Sequence, residues 1–289
     1  MVEEVKPELG VIEADKLSKK YRSTWALRNV TFTIKGKGLT VVYGPNGSGK
    51  STLLRLIAGL EKPSSGTIMV NGVEPGKDVG KINRIIAYYA EGTWVPPYYS
   101  GVELVEHFIR STRIDAGLIK DLADSMGVTA YWRKMVAGYS MGMRKKLILL
   151  LTMAEAEESD IILLDEPYTL LDTSTKNLIG EWINRVSRKK LVLNATHILT
   201  EAEEHAYYGM VLVNGKLKTM LKAENSPSII CRYNQEIINE ASKQNSTIKT
   251  DPQKSIVEIH PWKNKIPKEC RKAITLLALE ELTKETPVK

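Results

Sequence analysis

The chain opens with a two-residue alternation. Val30, Phe32 and Ile34 are apolar between polar neighbours, the period of a half-buried strand. Over Val11 to Ile34 the pattern predicts two strands joined by a turn, and Gly36 and Gly38 break the run. Leu39 to Tyr43 (LTVVY) predicts a short strand that runs into the glycine-rich stretch Gly44 to Gly49. The period then changes: Leu53, Leu54, Leu56, Ile57 and Ala58 are spaced as one helix face, closed by Gly59. Residues 66–89 read as a further strand pair with loops. Residues 101–135, and the run after Ser140, read as mostly helical. Ile161 to Leu164 and Leu191 to Asn194 are compact apolar strands with a helical pattern over 174–188 between them. Strand, helix, strand in that order predicts an α/β fold with a parallel sheet. The unbroken apolar run at 161–164 fits a strand buried on both faces.

Ala223 to Ser228 (AENSPS) reads as a boundary. It divides the chain into a main domain, 1–222, and a small C-terminal α/β extension, 223–289. The extension is expected to hold strands over Ser228 to Tyr233 and Ser255 to His260, and a helix over Ala273 to Leu282. It carries no chemical motif.

Composition narrows the class. Of 289 residues, 43% are hydrophobic and 26% charged, which is enough for a substantial core. No apolar run reaches the roughly 18 residues a membrane-spanning helix needs. The strongest, Leu147 to Met153, is cut off by Glu155, Glu157 and Glu158. The N-terminal segment MVEEVKPELG is acidic where a secretory signal would be basic, so no export is expected. The net charge of +7 has two readings, a lysine-rich solvated surface or attraction to an anionic partner. Cys231 and Cys270 lie far apart in sequence without CxxC spacing, and read as reduced thiols.

Gly44-Pro45-Asn46-Gly47-Ser48-Gly49-Lys50-Ser51 satisfies G-x-x-x-x-G-K-[ST] between a predicted strand and a predicted helix. Glycines let the backbone curl so that successive N–H groups point at phosphate oxygens, and the helix adds its positive end. Lys50 supplies a point charge for the β- and γ-phosphates, Ser51 a hydroxyl for Mg²⁺. Downstream, the strand Ile161 to Leu164 ends in Asp165-Glu166-Pro167. Carboxylates at the end of a parallel strand stand where ligands bind. Asp165 would hold Mg²⁺ through water, and Glu166 would polarise an attacking water.

Together these segments resemble the ABC ATPases over about Val11 to Gly215. The resemblance implies a P-loop NTPase cassette: a parallel-sheet core, an antiparallel β subdomain and a helical subdomain at about 92–153. It also implies ATP and Mg²⁺ as ligands, Thr52 as part of the phosphate site, and Lys50, Glu166 and His197 as the catalytic set. The family's Leu-Ser-Gly-Gly-Gln segment stands here as Tyr139-Ser140-Met141-Gly142-Met143. By resemblance Ser140 and Gly142 contact the γ-phosphate held by a second protomer; Ser140 also reads as a plain helix N-cap. Ser-x-Gly-Met-Arg is similar to the branch serving exporters of drugs, antibiotics or polysaccharides. Asp172 matches the loop at the dimer seam. Tyr21 matches the aromatic that stacks on adenine, with an ordinary partly buried tyrosine as the alternative reading.

The chain departs from the family at Glu91, where a glutamine touching Mg²⁺ is usual; a carboxylate still coordinates the metal but adds negative charge beside a triphosphate. The neighbouring Trp94 to Tyr99 (WVPPYY) is apolar for a loop. It reads either as a loop folded onto the core or as a groove for a permease helix. The expected function is ATP hydrolysis powering a separate membrane-spanning permease, as a homodimer or a heterodimer with a second ABC ATPase. The expected place is cytoplasmic, peripheral on the inner face of the membrane, and no nucleic acid partner is expected. A soluble non-transport ABC ATPase and an import ATPase are the alternatives.

Overall fold

The computed structural model describes residues 10–112, 114–198, 206–222, 228–232, 235–244, 247–251, 256–260 and 270–273. The centre is a six-stranded sheet in the order β5(Ile86–Tyr89), β6(Ile161–Asp165), β7(Leu191–Thr196), β3(Gly38–Tyr43), β8(Ala206–Val213), β9(Lys216–Lys222). All neighbours are parallel except the terminal β8–β9 pair. Alternation within these strands feeds two cores. Val41, Leu164 and Val192 face one side with Leu147, Leu150, Ile179 and Ile183. Val42, Leu163 and Leu193 face the other with Leu53, Leu54, Leu56 and Ile57. Every residue of β6 is buried, as its unbroken apolar run predicts. Each such leucine or isoleucine contributes about 1.5–3 kcal/mol of burial.

The helices follow from that division. α1(Lys50–Ile57) covers one face beside a three-stranded antiparallel sheet, ordered β2(Thr24–Ile34), β1(Ile12–Tyr21), β4(Ser65–Val70). α5(Met141–Glu155) and α6(Thr173–Ser187) cover the other. α3(Gly101–Ser111) and α4(Ala116–Ser125) pack with α5 as a helical layer. A side chain at Gly101 would meet the Tyr139 hydroxyl at 2.3 Å, so α3 begins on the one residue that lets that tyrosine through.

The predicted order of the main elements is borne out, and several details differ. The stretch read as a strand pair with loops contains a short helix, α2(Val79–Ile85), between β4 and β5. It buries only Ile82, too little for a visible period. The strand predicted at Leu191 to Asn194 runs on to Thr196. In the C-terminal segment, β10(Ser228–Arg232) and β12(Ile256–His260) stand where strands are predicted, with α7(Gln235–Lys243), β11(Thr247–Asp251) and β13(Cys270–Ala273) besides. They form a separate four-stranded sheet, β11-β12-β10-β13. Ala273 ends a strand, and the rest of the helix predicted there lies outside the described residues. β10 and β13 pair with Cys231 opposite Cys270, so distance in sequence does not separate these two positions in space.

Candidate active site

Strand β3 delivers the chain into the loop Gly44–Gly49. A methyl on Gly44 would sit 2.2 Å from the Leu212 carbonyl oxygen and 2.5 Å from Ser48 Oγ. One on Gly49, at φ 104°, would sit 2.4 Å from the Ala26 oxygen. Glycine is therefore a steric requirement at both. Pro45, Asn46 and Gly47 form the exposed rim. Helices α2 to α6 begin on Asp78, Ser100, Asp115, Ser140 and Asp172, each side chain accepting from the first turn of its own helix. α1 begins on Gly49 and has no side-chain cap. Its leading N–H groups are left for an anion, and the Ser48 hydroxyl beside them is buried without a partner.

Lys50 is buried and folded back over the loop. Its Nζ donates to the Gly44 oxygen at 2.8 Å and the Pro45 oxygen at 3.3 Å, and lies 3.5 Å from Glu166 Oε1. Ser51 Oγ donates to Asp165 Oδ1 at 3.1 Å. Burial pushes the Asp165 acid up and the nearby Glu166 and Glu91 charges add to this, while the Ser51 hydroxyl opposes it. Glu166 has φ 51°, a left-handed backbone fixed in part by its N–H donating to the Ala195 oxygen at 2.9 Å. Strain of this kind is held in place only by surrounding structure and clusters at working sites. Glu166 Oε1 is 2.9 Å from His197 Nδ1; an ionised carboxylate only accepts, so the ring donates through Nδ1.

These residues fit a nucleotide with its metal. A hydroxyl and a carboxylate are hard oxygen donors of the kind Mg²⁺ takes alongside phosphates and water. Among the described residues no cluster of three or more His, Cys, Asp or Glu would hold an ion by itself. Tyr21 is 41% exposed at the end of β1, its hydroxyl donating to the Glu61 carboxylate. Burial first, and Glu61 second, raise its proton affinity. Glu61 is also 3.1 Å from Lys19 and 3.7 Å from Arg55; it anchors the hydroxyl, and the Lys19 ammonium stands over the ring at 5.1 Å from its centroid.

Ser140, Gly142 and Asp172 gather separately. Ser140 Oγ accepts from Met143 N at 3.2 Å, and a methyl on Gly142 would stand 3.3 Å from the Leu170 oxygen. Asp172 caps α6 and pairs with Lys146 at 2.7 Å, a contact that, with Ser174 and Thr175, holds its acid well below the usual range. Glu91, the residue matched to a metal-touching glutamine, pairs with Lys145 at 3.2 Å. Lys145, Lys146 and Glu61 were not anticipated from sequence. The one available signal was a lysine pair inside the apolar periodicity of α5.

A loop that cradles phosphate between a parallel strand and an uncapped helix, with two carboxylates from a strand of the same sheet, defines a P-loop nucleotide hydrolase. The family model for ABC transporters matches residues 27–169. The chain is 32% identical over 216 residues to the ABC transporter ATP-binding protein NatA of Bacillus subtilis (strain 168), covering 71% of this chain and 87% of that protein. It is also 32% identical over 209 residues to the probable sulfate/thiosulfate import ATP-binding protein CysA of Chlorella vulgaris, covering 70% and 87%. Its fold is similar to a solved ATP-binding subunit of an ABC transporter (TM-score 0.66, 24% identity, 73% and 90% covered). It is likewise similar to the dimeric cassette MJ0796 in a post-hydrolysis state with ADP and Pi (TM-score 0.64, 23%, 73% and 98%). The chain belongs to the ABC transporter family, as an ATP-binding subunit and an ATPase whose hydrolysis is coupled to transport.

Proposed function

We propose that two cassettes close on ATP, each holding the nucleotide between its own phosphate loop and its partner's Ser140–Gly142 segment, and so drive a separate membrane-spanning permease. The observation that carries this reading is the surface around that segment. Met141 and Leu170 are 63% and 61% exposed on either side of Gly142, apolar side chains left in water around the start of α5. The geometry admits an identical second cassette or a different one.

Within the site, Lys50 binds the β- and γ-phosphates, Tyr21 stacks on the adenine, and Thr52 adds a buried hydroxyl near Tyr21. Ser51 and Asp165 would hold Mg²⁺, which neutralises charge on the phosphate oxygens. The Glu166 carboxylate accepts a proton from the attacking water. His197 fixes that carboxylate through Nδ1 and presents Nε2 towards the γ-phosphate. Asp172, locked at the start of α6, lines the seam.

The permease contact falls on a groove of about 390 Å³ lined by Trp94, Val95, Leu104, Phe108, Ile148 and Leu151. Trp94 is 70% exposed at its edge. Tyr98, grouped with it in sequence, lies outside the lining and stacks on Tyr99 at 5.1 Å between centroids. No helix among the described residues is long and apolar enough to cross a membrane, which fits a cytoplasmic chain docked on the inner face. The Ser-x-Gly-Met-Arg segment favours export. The import reading keeps support from the CysA relatives, and the direction is a property of the permease pair.

The experiment is Trp94→Glu in cells expressing the full chain. The variant is expected to keep its ATPase and to leave the membrane fraction for the soluble one. Undiminished membrane association would remove the groove from the account.

A further inference from the structure

Lys145 stands in the second turn of α5, 6% exposed, beside Leu147, Leu149 and Leu150 of the core. A buried ammonium in that position needs close hydrogen-bonding partners. It has two. Its Nζ is 3.2 Å from Glu91 Oε1 and 3.2 Å from the Thr169 carbonyl oxygen. Glu91 follows strand β5, and Thr169 lies between Glu166 and Asp172. One ammonium thus ties together the helix that begins at Ser140, the segment after β5, and the segment leading from the catalytic carboxylate to α6. The next residue repeats the pattern, Lys146 bonding Asp172 and, at 3.5 Å, the Met126 oxygen.

The charge count explains why the lysine is needed. The Glu166 and Glu91 charges both act on Asp165, and the nearest lysine there, Lys50, is paired with Glu166 at 3.5 Å. An uncompensated Glu91 would repel a triphosphate. We propose that Lys145 is a positioning residue that supplies Glu91 with its standing counter-charge, so that a carboxylate borders the nucleotide without repelling it, and that ties Glu91 to the position of α5. The proposal rests on Glu91 facing the nucleotide.

The test is a double-mutant cycle on Lys145→Met and Glu91→Gln, read as the affinity of a fluorescent ATP analogue in EDTA, with thermal unfolding of the nucleotide-free protein alongside. One net charge at roughly 10 Å in a medium of effective dielectric near 20 changes affinity by about 10-fold. Lys145→Met is therefore expected to weaken binding by about that factor. Glu91→Gln, which strands a cation, is expected to tighten it, and the double variant to return to within about 3-fold of the original protein. Lysine acting only as packing predicts no such opposite signs and no rescue. The singles are expected to lower Tm by about 2–4 °C with losses that do not add in the double.

Losses that multiply in the double variant would overturn the proposal. So would a Glu91→Gln affinity that is unchanged or weaker, which also decides the case if Lys145→Met fails to fold. Coupled melting with no change in any affinity would mean that the pair exists but does not face the nucleotide, and would overturn it as well. Failure of the unaltered chain to bind ATP would overturn both the proposal and the site it rests on.

Discussion

Glu166 is held from three directions, by its left-handed backbone, by His197 and by the charge of Lys50. A residue so constrained is expected to matter more for turnover than for binding. Glu166→Gln should bind ATP normally and lose about 10²–10⁴-fold in turnover, measured by phosphate release; near-normal turnover would end its role as base. Glu155 gives a prediction of another kind. At the end of α5, burial alone pushes its acid up to about 7. In the unfolded chain it titrates near 4.3. A raised carboxylate is tolerated while protonated, so it costs no stability below the unfolded value. The cost grows as pH rises between the two values and is complete above about 7, at up to about 4 kcal/mol. Glu155→Gln should therefore raise Tm at pH 8 and leave it nearly unchanged at pH 4.5, if the fold survives there; an equal shift at both would contradict the assignment. Spacing alone made Lys50, Ser51, Asp165 and Glu166 legible, because each sits at a fixed offset from a strand end. Glu61 and Lys145 were not, because their partners lie 40 and 54 positions away and only the fold brings them together.

The helices differ in how they start. Among the described helix starts, α2 to α6 have side-chain caps, while α1, which follows the phosphate-loop motif, starts on a glycine with no side chain filling its leading N–H groups. The loop before it tolerates change unevenly. Gly47→Ala adds a methyl where there is room and bears only the left-handed strain of φ 78°, about 1–3 kcal/mol. Gly44→Ala drives a methyl against the Leu212 backbone and should cost Tm by more than Gly47→Ala, and ATP binding with it. Comparable melting for the two would show that the loop is softer than this packing implies. At this scale the sequence was most readable where the pattern was strong, at the unbroken apolar run of β6 and the helical spacing of α1 and α6. It failed at α2, where seven residues bury one side chain, and in the C-terminal sheet it found β10 and β12 but not the short β11 and β13, which carry few repeats.

At the scale of the whole molecule, the phosphate loop and the Ser140 segment belong to two distinct groups of contacts on one chain. The first is built to hold a nucleotide. The second, on the proposed reading, meets one held by another cassette, and its Met141 and Leu170 are exposed when the chain is alone. The family and its fold were readable from motif order, since the order of strand, loop, helix and carboxylate strand leaves few architectures. The closing of two such chains was readable only as a resemblance, because no single chain displays the contact. The most direct measurement is the molar mass of the Glu166→Gln protein by light scattering, with and without Mg-ATP. The account predicts a monomer without nucleotide and a dimer with it. A chain that binds ATP and stays monomeric at every ATP concentration would contradict closure of two copies on the nucleotide.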